Sequence, residues 1–325
     1  MNINRFGPYA SSVTILGFGG APVGNLFKYT SDDDAAGAID TAWNEGIRYF
    51  DTAPHYGLGL SEQRLGRFLR DQPRDEMTIS SKVGRLLTPN PTPSGSDLSA
   101  GGFAVVDDFV RTLDYSEDGI KKSIEGSLER LGTDYLDIAY VHDPDDHVDE
   151  VIDHTFPALV KLREQGVVRA IGAGMNYWQP LLRFVNESDI DVVMLAGRWT
   201  LLDQSGEPLL RQCQDRGVAV VAAAPFNSGI LSRSIPASDG HFDYHGVPEN
   251  LLLRARELAA MCRLFGVELP EVAINFPLRA TPVVSVVAGF RNATQARTGA
   301  RWMDADIPSE LWAELEALEW FGGNL

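Results

Sequence analysis

The chain has 325 residues, of which 44% are hydrophobic and 22% charged, and its formal net charge is −17 at pH 7. This composition is typical of a globular protein, and the excess of negative charge argues against a nucleic acid or an anionic membrane as partner. No basic segment followed by an apolar one opens the chain, and no apolar run reaches the length of a membrane span. We therefore expect a cytoplasmic protein that acts on a small molecule.

Short apolar runs alternate with amphipathic stretches along the chain, which is the pattern of a parallel sheet covered by helices. The runs predict eight strands, near 14–19, 47–51, 77–82, 136–141, 168–173, 191–195, 218–222 and 283–288. The chain length suits one α/β barrel. We expect a single domain over residues 1–325, a (β/α)8 TIM barrel with long βα loops at its C-terminal rim.

The segments between these strands carry the start signals of helices. Ser31 is placed to cap a helix that begins with the acidic residues 32–34, and Gly46 ends that helix. Cys213 and Cys262 lie far apart in further predicted helices. The sequence therefore predicts two buried thiols rather than a disulfide or a metal site.

Two stretches break this rhythm. Residues 85–117 and 232–249 contain many proline, serine and glycine residues and lie where the loops after strands belong. Loops of such length in a compact domain are usually functional or mobile. We expect them to help decide which substrate fits the site.

Three ionisable residues stand at the ends of successive predicted strands. Asp51 ends IRYFD, Lys82 ends MTISSK and His142 ends LDIAYVH. The carboxyl ends of barrel strands form the rim where chemistry occurs, and neighbouring strands are only about 4.8 Å apart. These side chains are therefore expected to converge. The structural alternative is an Asp51–Lys82 ion pair beside a hydrogen-bonded core histidine.

Tyr56 lies in the glycine-rich bend that follows Asp51. A phenol has a pKa of about 10 and serves as a base near neutral pH only if a cation stabilises the phenolate. Lys82 would supply that cation, Asp51 would keep the lysine protonated, and His142 would donate a hydrogen bond to a substrate oxygen. The set predicts a proton relay without a nucleophile.

A metal-dependent hydrolase on the same barrel is a competing interpretation. Its ligands would be Asp51, His55, His142 and Asp143. Such sites usually need more histidines at strand ends, and the other histidines of this chain fall in predicted loops or helices. No metal site is therefore expected.

The candidate site also carries a resemblance to a known family. Asp51, Tyr56, Lys82 and His142 resemble the catalytic tetrad of the aldo-keto reductase superfamily, and DTAPHYGLGLSEQRLGRFL is similar to the signature around its catalytic tyrosine. The resemblance extends from LGFGGAPVG to the end of the chain. It implies a barrel that binds NAD or NADP at its rim, without a Rossmann fingerprint. In agreement with this, no G-x-G-x-x-G motif follows a predicted strand.

The same resemblance implies three cofactor-binding segments. AIGAGMNYW would bind the nicotinamide carboxamide, APFNSGIL would cradle the pyrophosphate, and AGFRNATQARTG would hold the adenosine end. The implied cofactor contacts are Asn176, Phe226, Asn227, Ser228, Gly229, Leu231, Gly289, Arg291 and Gln295.

The adenosine-binding segment favours NAD over NADP. Thr298 and Gly299 stand where NADP-dependent relatives often carry Glu-Asn, and Gly289 stands where some carry a phosphate-binding lysine. Arg291 would still reach a 2′-phosphate, so NADP stays open.

Within the superfamily, GGAPVGNLF, GAGMN, AGRWTLLDQ and NSGIL resemble the branch of aldose 1-dehydrogenases that oxidise L-fucose, L-galactose or D-arabinose. Pyridoxal 4-dehydrogenase also resembles this branch. The resemblance implies oxidation of a cyclic hemiacetal to a lactone, with His55, Trp178 and Trp199 as candidate substrate contacts. A general aldehyde reductase and a non-catalytic cofactor-binding regulatory subunit stay as alternatives, and no oligomeric state is predicted.

Overall fold

Eight parallel strands close into a barrel in the computed structural model, which describes residues 1–7, 11–243, 245–318 and 320–321. The strands are β1 Leu16–Gly19, β2 Tyr49–Asp51, β3 Thr78–Val83, β4 Leu136–His142, β5 Val168–Met175, β6 Val192–Ala196, β7 Ala219–Ala223 and β8 Val283–Gly289. Each strand pairs with the next along the chain, and β8 pairs with β1. The predicted barrel and its eight strands are confirmed.

Apolar side chains fill both sides of the barrel wall. Inside, Tyr49 from β2 and Ile138 and Tyr140 from β4 are fully buried. Outside, the strands pack against the surrounding helices through a larger apolar core. Asp51 and Lys82 lie at the carboxyl ends of β2 and β3, where both side chains are buried. The candidate site therefore lies at that rim.

Helices cover the outside of the barrel. They are Asp32–Asn44, Leu60–Leu69, Glu117–Leu131, Val148–Glu150, Phe156–Glu164, Trp178–Glu187, Glu207–Arg216, Glu249–Leu264, Leu269–Asn275, Ala293–Met303 and Ser309–Glu316, with a π-helical turn at Val151–Thr155 and 3-10 turns at Pro22–Gly24, Arg74–Glu76, Asn227–Gly229 and Phe276–Arg279. Among the described residues, no helix is long and apolar enough to cross a bilayer.

The helix signals of the sequence are reproduced in the structure. The Ser31 hydroxyl accepts a hydrogen bond from the Asp34 backbone N–H and caps the first helix, whose opening turn is acidic. This arrangement complements the positive end of the helix dipole. Cys213 and Cys262 are free, buried thiols in their helices, as predicted.

The two long stretches predicted as loops contain ordered β-ribbons. The pairs are Arg85–Pro89 with Phe109–Leu113, and His241–Phe242 with His245–Gly246. A third ribbon, Ile3–Phe6 with Ser11–Thr14, was not predicted because its first strand alternates between exposed and half-buried residues and has no apolar run. The segment 85–117 is thus a long βα connection at the rim, as predicted, and its ends pair with each other.

Candidate active site

Tyr56 lies in a tight turn directly after β2. The turn requires glycine, because Gly57 has a φ of +65° and a side chain there would come within 2.2 Å of the Gly24 carbonyl oxygen. The helix Leu60–Leu69 begins just beyond the turn. The glycine-rich sequence after Tyr56 therefore fixes the phenol beside β2 and β3.

Lys82 connects the phenol to Asp51. Its Nζ atom donates to Asp51 Oδ2 over 2.7 Å, to the Tyr56 hydroxyl over 3.0 Å and to the Thr52 carbonyl over 3.0 Å. Lys82 and Asp51 are each only 2% exposed. A buried ammonium is stable only with a counter-charge and with acceptors for its protons, and both are present here. The site thus holds a fixed cation at hydrogen-bond distance from the phenol oxygen.

A second set of hydrogen bonds holds Asp51 from inside the barrel. The Ser80 hydroxyl donates to Asp51 Oδ1 over 2.7 Å and lies 3.2 Å from the Tyr49 hydroxyl, which is itself 3.3 Å from that of Tyr140. Both carboxylate oxygens of Asp51 therefore have partners. Ser80 was not predicted, although it precedes Lys82 by two positions on β3 and so shares its face of the strand.

Burial and the lysine act in opposite directions on the phenol. Burial raises the pKa of Tyr56 to about 12, and the Lys82 ammonium opposes this rise. Burial lowers the pKa of Lys82, but the Asp51 carboxylate and the Tyr56 hydroxyl outweigh burial and raise this pKa above its usual value. The lysine is therefore charged at every pH of interest, and it is the group that favours the phenolate.

Two neutral histidines flank the phenol. The ring centroid of His142 lies 5.8 Å from that of Tyr56 and 5.4 Å from that of His55, both edge to face. Burial, helped by the Arg85 and Lys82 charges, holds the pKa of His142 well below its ordinary value, and burial lowers the pKa of His55 to about 2. A neutral imidazole offers one N–H donor and one acceptor nitrogen.

An ion pair that was not predicted borders His142. Arg85 Nη2 lies 3.0 Å from Asp143 Oδ2, and the same oxygen lies 3.5 Å from His142 Nε2. Asp143 was expected only as a metal ligand of the alternative hydrolase. Both residues could have been predicted at the rim, because Asp143 directly follows β4 and Arg85 follows β3 after one glycine.

A second ion pair attaches the long ribbon to the catalytic turn. Arg111 forms two hydrogen bonds with the buried carboxylate of Asp97, at 2.6 and 2.7 Å, and donates to the His55 carbonyl over 2.9 Å. Phe103, from the same segment, packs edge to face on His55. The segment 85–117 thus forms a wall of the site.

The predicted cofactor segments lie at the carboxyl ends of β5, β7 and β8. Asn176 directly follows β5, and within the described residues its side chain makes no hydrogen bond. After β7, residues Asn227, Ser228 and Gly229 have φ values of 44°, 58° and 104°. Turns of consecutive unusual backbone conformations can form anion-binding concavities.

Two further observations bear on whether a nicotinamide dinucleotide fits here. Asn227 Oδ1 is buried and lacks a partner among the described residues. A side chain at Gly289 would come within 2.6 Å of Pro22, so glycine lets the loop after β1 pack closely against that end of β8. The residues present therefore fit such a group. Leu231 is an exception, since it is fully buried and its N–H donates to the Phe226 carbonyl, which gives it a packing role.

The Arg291 side chain binds the loop after β1. Its guanidinium donates to the Thr30 hydroxyl over 3.0 Å and to backbone carbonyls of the loop after β1. The carbonyls belong to Pro22, Leu26 and Lys28. Arg291 thus holds this loop, and contact with a 2′-phosphate would require loss of these bonds. Gln295 is exposed, and its side-chain oxygen accepts from the Arg291 N–H.

The predicted substrate contacts separate into two groups. His55 lies in the wall of the site, and Trp178 is half-buried at the start of the helix after β5. Trp199 is only 3% exposed, packs on Phe276, and donates its indole N–H to the Pro277 carbonyl. The expectation for Trp199 was wrong, because the side chain belongs to the core.

Among the residues that the structure describes, no three His, Cys, Asp or Glu side chains are grouped so that they would hold a metal ion. Asp143 is paired with Arg85, and Asp51 is paired with Lys82. The alternative hydrolase therefore has no ligand set in the described part of the chain.

Comparison with known proteins gives consistent matches over nearly the whole chain. The sequence model described as "Aldo/keto reductase family" matches residues 15–319. A D-threo-aldose 1-dehydrogenase from Pseudomonas sp is 48% identical over 94% of this chain and 93% of its own. A pyridoxal 4-dehydrogenase from Microbacterium luteolum is 38% identical over 94% of each chain. The structure of an aldo-keto reductase from Bacillus halodurans in its holo form is 26% identical, covers 97% of this chain and 95% of its own, and has a TM-score of 0.77.

Proposed function

The chain belongs to the aldo/keto reductase family, and we propose that it oxidises the C1 hemiacetal hydroxyl of an aldose to a lactone. It is an NAD(P)-dependent oxidoreductase. The 48% identity with D-threo-aldose 1-dehydrogenase supports an aldose as substrate. L-Fucose, L-galactose and D-arabinose are the aldoses that the sequence resemblance implies. Pyridoxal, itself a cyclic hemiacetal in solution, is the second candidate, because of the 38% identity with pyridoxal 4-dehydrogenase.

The buried contact between Lys82 and Tyr56 is the observation that carries this proposal. Oxidation of a hydroxyl group requires a base for its proton, and the phenolate of Tyr56 is that base. The Lys82 ammonium, 3.0 Å from the phenol oxygen, stabilises the phenolate. Asp51 and Ser80 keep the ammonium in place through the bonds at 2.7 Å described above.

His142 orients the substrate beside this relay. Its neutral imidazole carries one N–H, which would donate to the C1 oxygen as Tyr56 removes the proton. The nicotinamide cofactor supplies, when bound, the acceptor for the hydride that leaves C1. The lactone would later be opened by water outside the site.

NAD is the cofactor that the residues favour. Asn176 would bind the carboxamide, the loop with Asn227, Ser228 and Gly229 would hold the pyrophosphate, and Gln295 would contact the adenosine end. Phe226 borders this loop and packs on Trp302. Two features argue against a 2′-phosphate, since Gly289 offers no cation and the guanidinium of Arg291 already binds four oxygen atoms.

An initial-rate screen of aldoses and pyridoxal, each with NAD and NADP, tests the proposal. We expect lactone and NADH from at least one of the three aldoses, with the higher kcat/KM for NAD. If every aldose is inert while pyridoxal is oxidised, the proposed aldose substrate is wrong, but the proposed proton transfer through Tyr56 and Lys82 still holds. If only open-chain aldehydes are reduced with NADPH, the chain is a general reductase, whereas tight cofactor binding without any turnover would indicate a regulatory subunit. A single domain and a cytoplasmic location stay predictions.

A further inference from the structure

Buried polar atoms without partners gather around Tyr56. Buried polar groups in proteins are nearly always hydrogen-bonded, so each exception needs an explanation. In the described part of the chain, ten buried side-chain nitrogen or oxygen atoms lack a partner. Four of the ten belong to residues in the wall around the phenol: His55, Arg85, Arg111 and His142. A ligand with several hydroxyl groups would supply the missing partners.

Arg85 and Asp143 form the charged part of this wall. Their ion pair at 3.0 Å uses Arg85 Nη2 and Asp143 Oδ2. Within the described residues, Arg85 Nε and Asp143 Oδ1 make no hydrogen bond. The Oδ2 atom of Asp143 also lies 3.5 Å from Nε2 of His142. A donor and an acceptor are thus available beside the group that would hold the reacting oxygen.

A purely structural role does not account for this pair. The side chains of Arg85 and Asp143 are only 22% and 26% exposed, and Arg85 Nε is buried without a partner in the described structure. A buried donor that lacks an acceptor costs free energy, which an ion pair kept only for stability would not explain. Asp143 has a φ of +42°, in the left-handed region that aspartate and asparagine adopt more readily than other residues with a side chain. The unpaired Arg85 Nε beside this ion pair therefore indicates a contact with a ligand.

We propose that Arg85 and Asp143 bind the C2 hydroxyl of the aldose, an inference that rests on the proposed sugar oxidation. A hydroxyl group both donates and accepts, so it can bond to a carboxylate and to a guanidinium at once. The C2 hydroxyl is the neighbour of C1, whose oxygen would be held by His142. Because Asp143 adjoins His142, two neighbouring hydroxyl oxygens of the sugar match two neighbouring side chains. The pair selects sugars that carry a hydroxyl at C2.

Kinetics on sugars that differ only at C2 test this role. The pairs are D-arabinose with 2-deoxy-D-ribose, and L-fucose with 2-deoxy-L-fucose. The wild-type enzyme should prefer the parent sugar by at least about tenfold in kcat/KM, because a site built to bond a hydroxyl rejects the analogue that lacks it. In Asp143→Asn, kcat/KM should fall at least about tenfold for the parent and change by less than about threefold for the deoxy sugar. Arg85→Met should remove the preference in the same way.

Two controls separate this effect from misfolding and from a general change of charge. Asparagine tolerates the left-handed conformation, so Asp143→Asn keeps the backbone, and thermal unfolding checks the fold. Asp145→Asn removes the same charge two residues away, from an exposed side chain that makes no ion pair with Arg85 in the described structure. This variant should retain the wild-type preference.

The possible outcomes distinguish the two proposals. If Asp143→Asn lowers parent and deoxy sugars equally, or lowers neither, C2 recognition by this pair is overturned while aldose oxidation stands. Equal wild-type rates on parent and deoxy sugars overturn it as well. If the wild-type enzyme oxidises no aldose with either cofactor, the proposed function fails, and the C2 contact fails with it.

Discussion

Replacement of Lys82 by methionine would remove the cation from the buried phenol while keeping most of the side-chain volume. The Nζ atom lies 3.0 Å from the Tyr56 hydroxyl. At that distance, two unit charges in an effective dielectric of about 20 interact by about 5 kcal/mol. This energy corresponds to a rise of about four units in the pKa of the phenol. We therefore expect aldose oxidation by Lys82→Met at pH 8 to fall by at least about a thousandfold.

The assay is kcat and kcat/KM for the best aldose between about pH 6 and pH 10, together with NAD binding by fluorescence titration. Oxidation by Lys82→Met should stay far below that of the wild-type enzyme at every pH in this range, and NAD binding should persist. Lys121→Met is the matched control, because Lys121 is an exposed lysine whose ion pair with Glu117 lies on an outer helix. Retention by Lys82→Met of more than about a tenth of the wild-type activity across this pH range would refute a role of the lysine in stabilising the phenolate.

Lys82→Met could also lose activity because the protein unfolds, and a second variant distinguishes unfolding from loss of the cation. Lys82→Met leaves the Asp51 carboxylate buried without its counter-charge, which typically costs about 3–5 kcal/mol. The double variant Lys82→Met with Asp51→Asn removes the stranded charge as well. It should recover thermal stability without recovering activity. Recovery of both would assign the lysine a structural role only.

Three further perturbations test other parts of the site. Tyr56→Phe should lower kcat at least about a hundredfold with unchanged NAD affinity, and near-normal turnover would remove the phenol from the mechanism. Burial raises the pKa of Tyr56 to about 12, so initial rates of oxidation should rise by up to about tenfold per pH unit from pH 6 to 8. The rate of aldehyde reduction, which uses the protonated phenol, should not rise over this range. Parallel pH profiles for the two reactions would contradict this prediction. Arg291→Ala should lower the melting temperature but leave the NAD to NADP ratio of kcat/KM within about threefold; a tenfold change would show a phosphate contact instead.

Much of the fold could be predicted because each barrel strand has a local signal. The strand Leu136–His142 is buried along its whole length, so its apolar run is visible without tertiary information. Asp51, Lys82 and His142 could be predicted to meet because parallel strands end at one rim. The rim rule extended equally to Asp143, but its pairing with Arg85 depends on a turn that follows β3.

Hydrogen bonds between side chains and residues far away in the sequence could not be predicted. Arg291 was predicted as a cofactor contact with a 2′-phosphate in reach, and its guanidinium bonds to the carbonyl of Pro22, 269 positions earlier in the chain. Trp199 was expected at the substrate, but its N–H reaches Pro277, 78 positions later. Both residues have an end that suits a ligand and a stem or ring that suits packing. Only the tertiary structure decides which of these uses is realised.

The segment 85–117 links substrate recognition to the catalytic turn. Its first residue, Arg85, is paired with Asp143 beside His142, and its returning strand carries Arg111, which bonds to the His55 carbonyl. The Asp97 carboxylate, which is 2% exposed, fixes Arg111 in that position. The ribbon is thus attached to both sides of the phenol through short polar contacts rather than through mobile loop backbone. Because the wall that faces the sugar and the turn that carries Tyr56 share these attachments, the site can place a hemiacetal hydroxyl against the phenolate with little further ordering on binding.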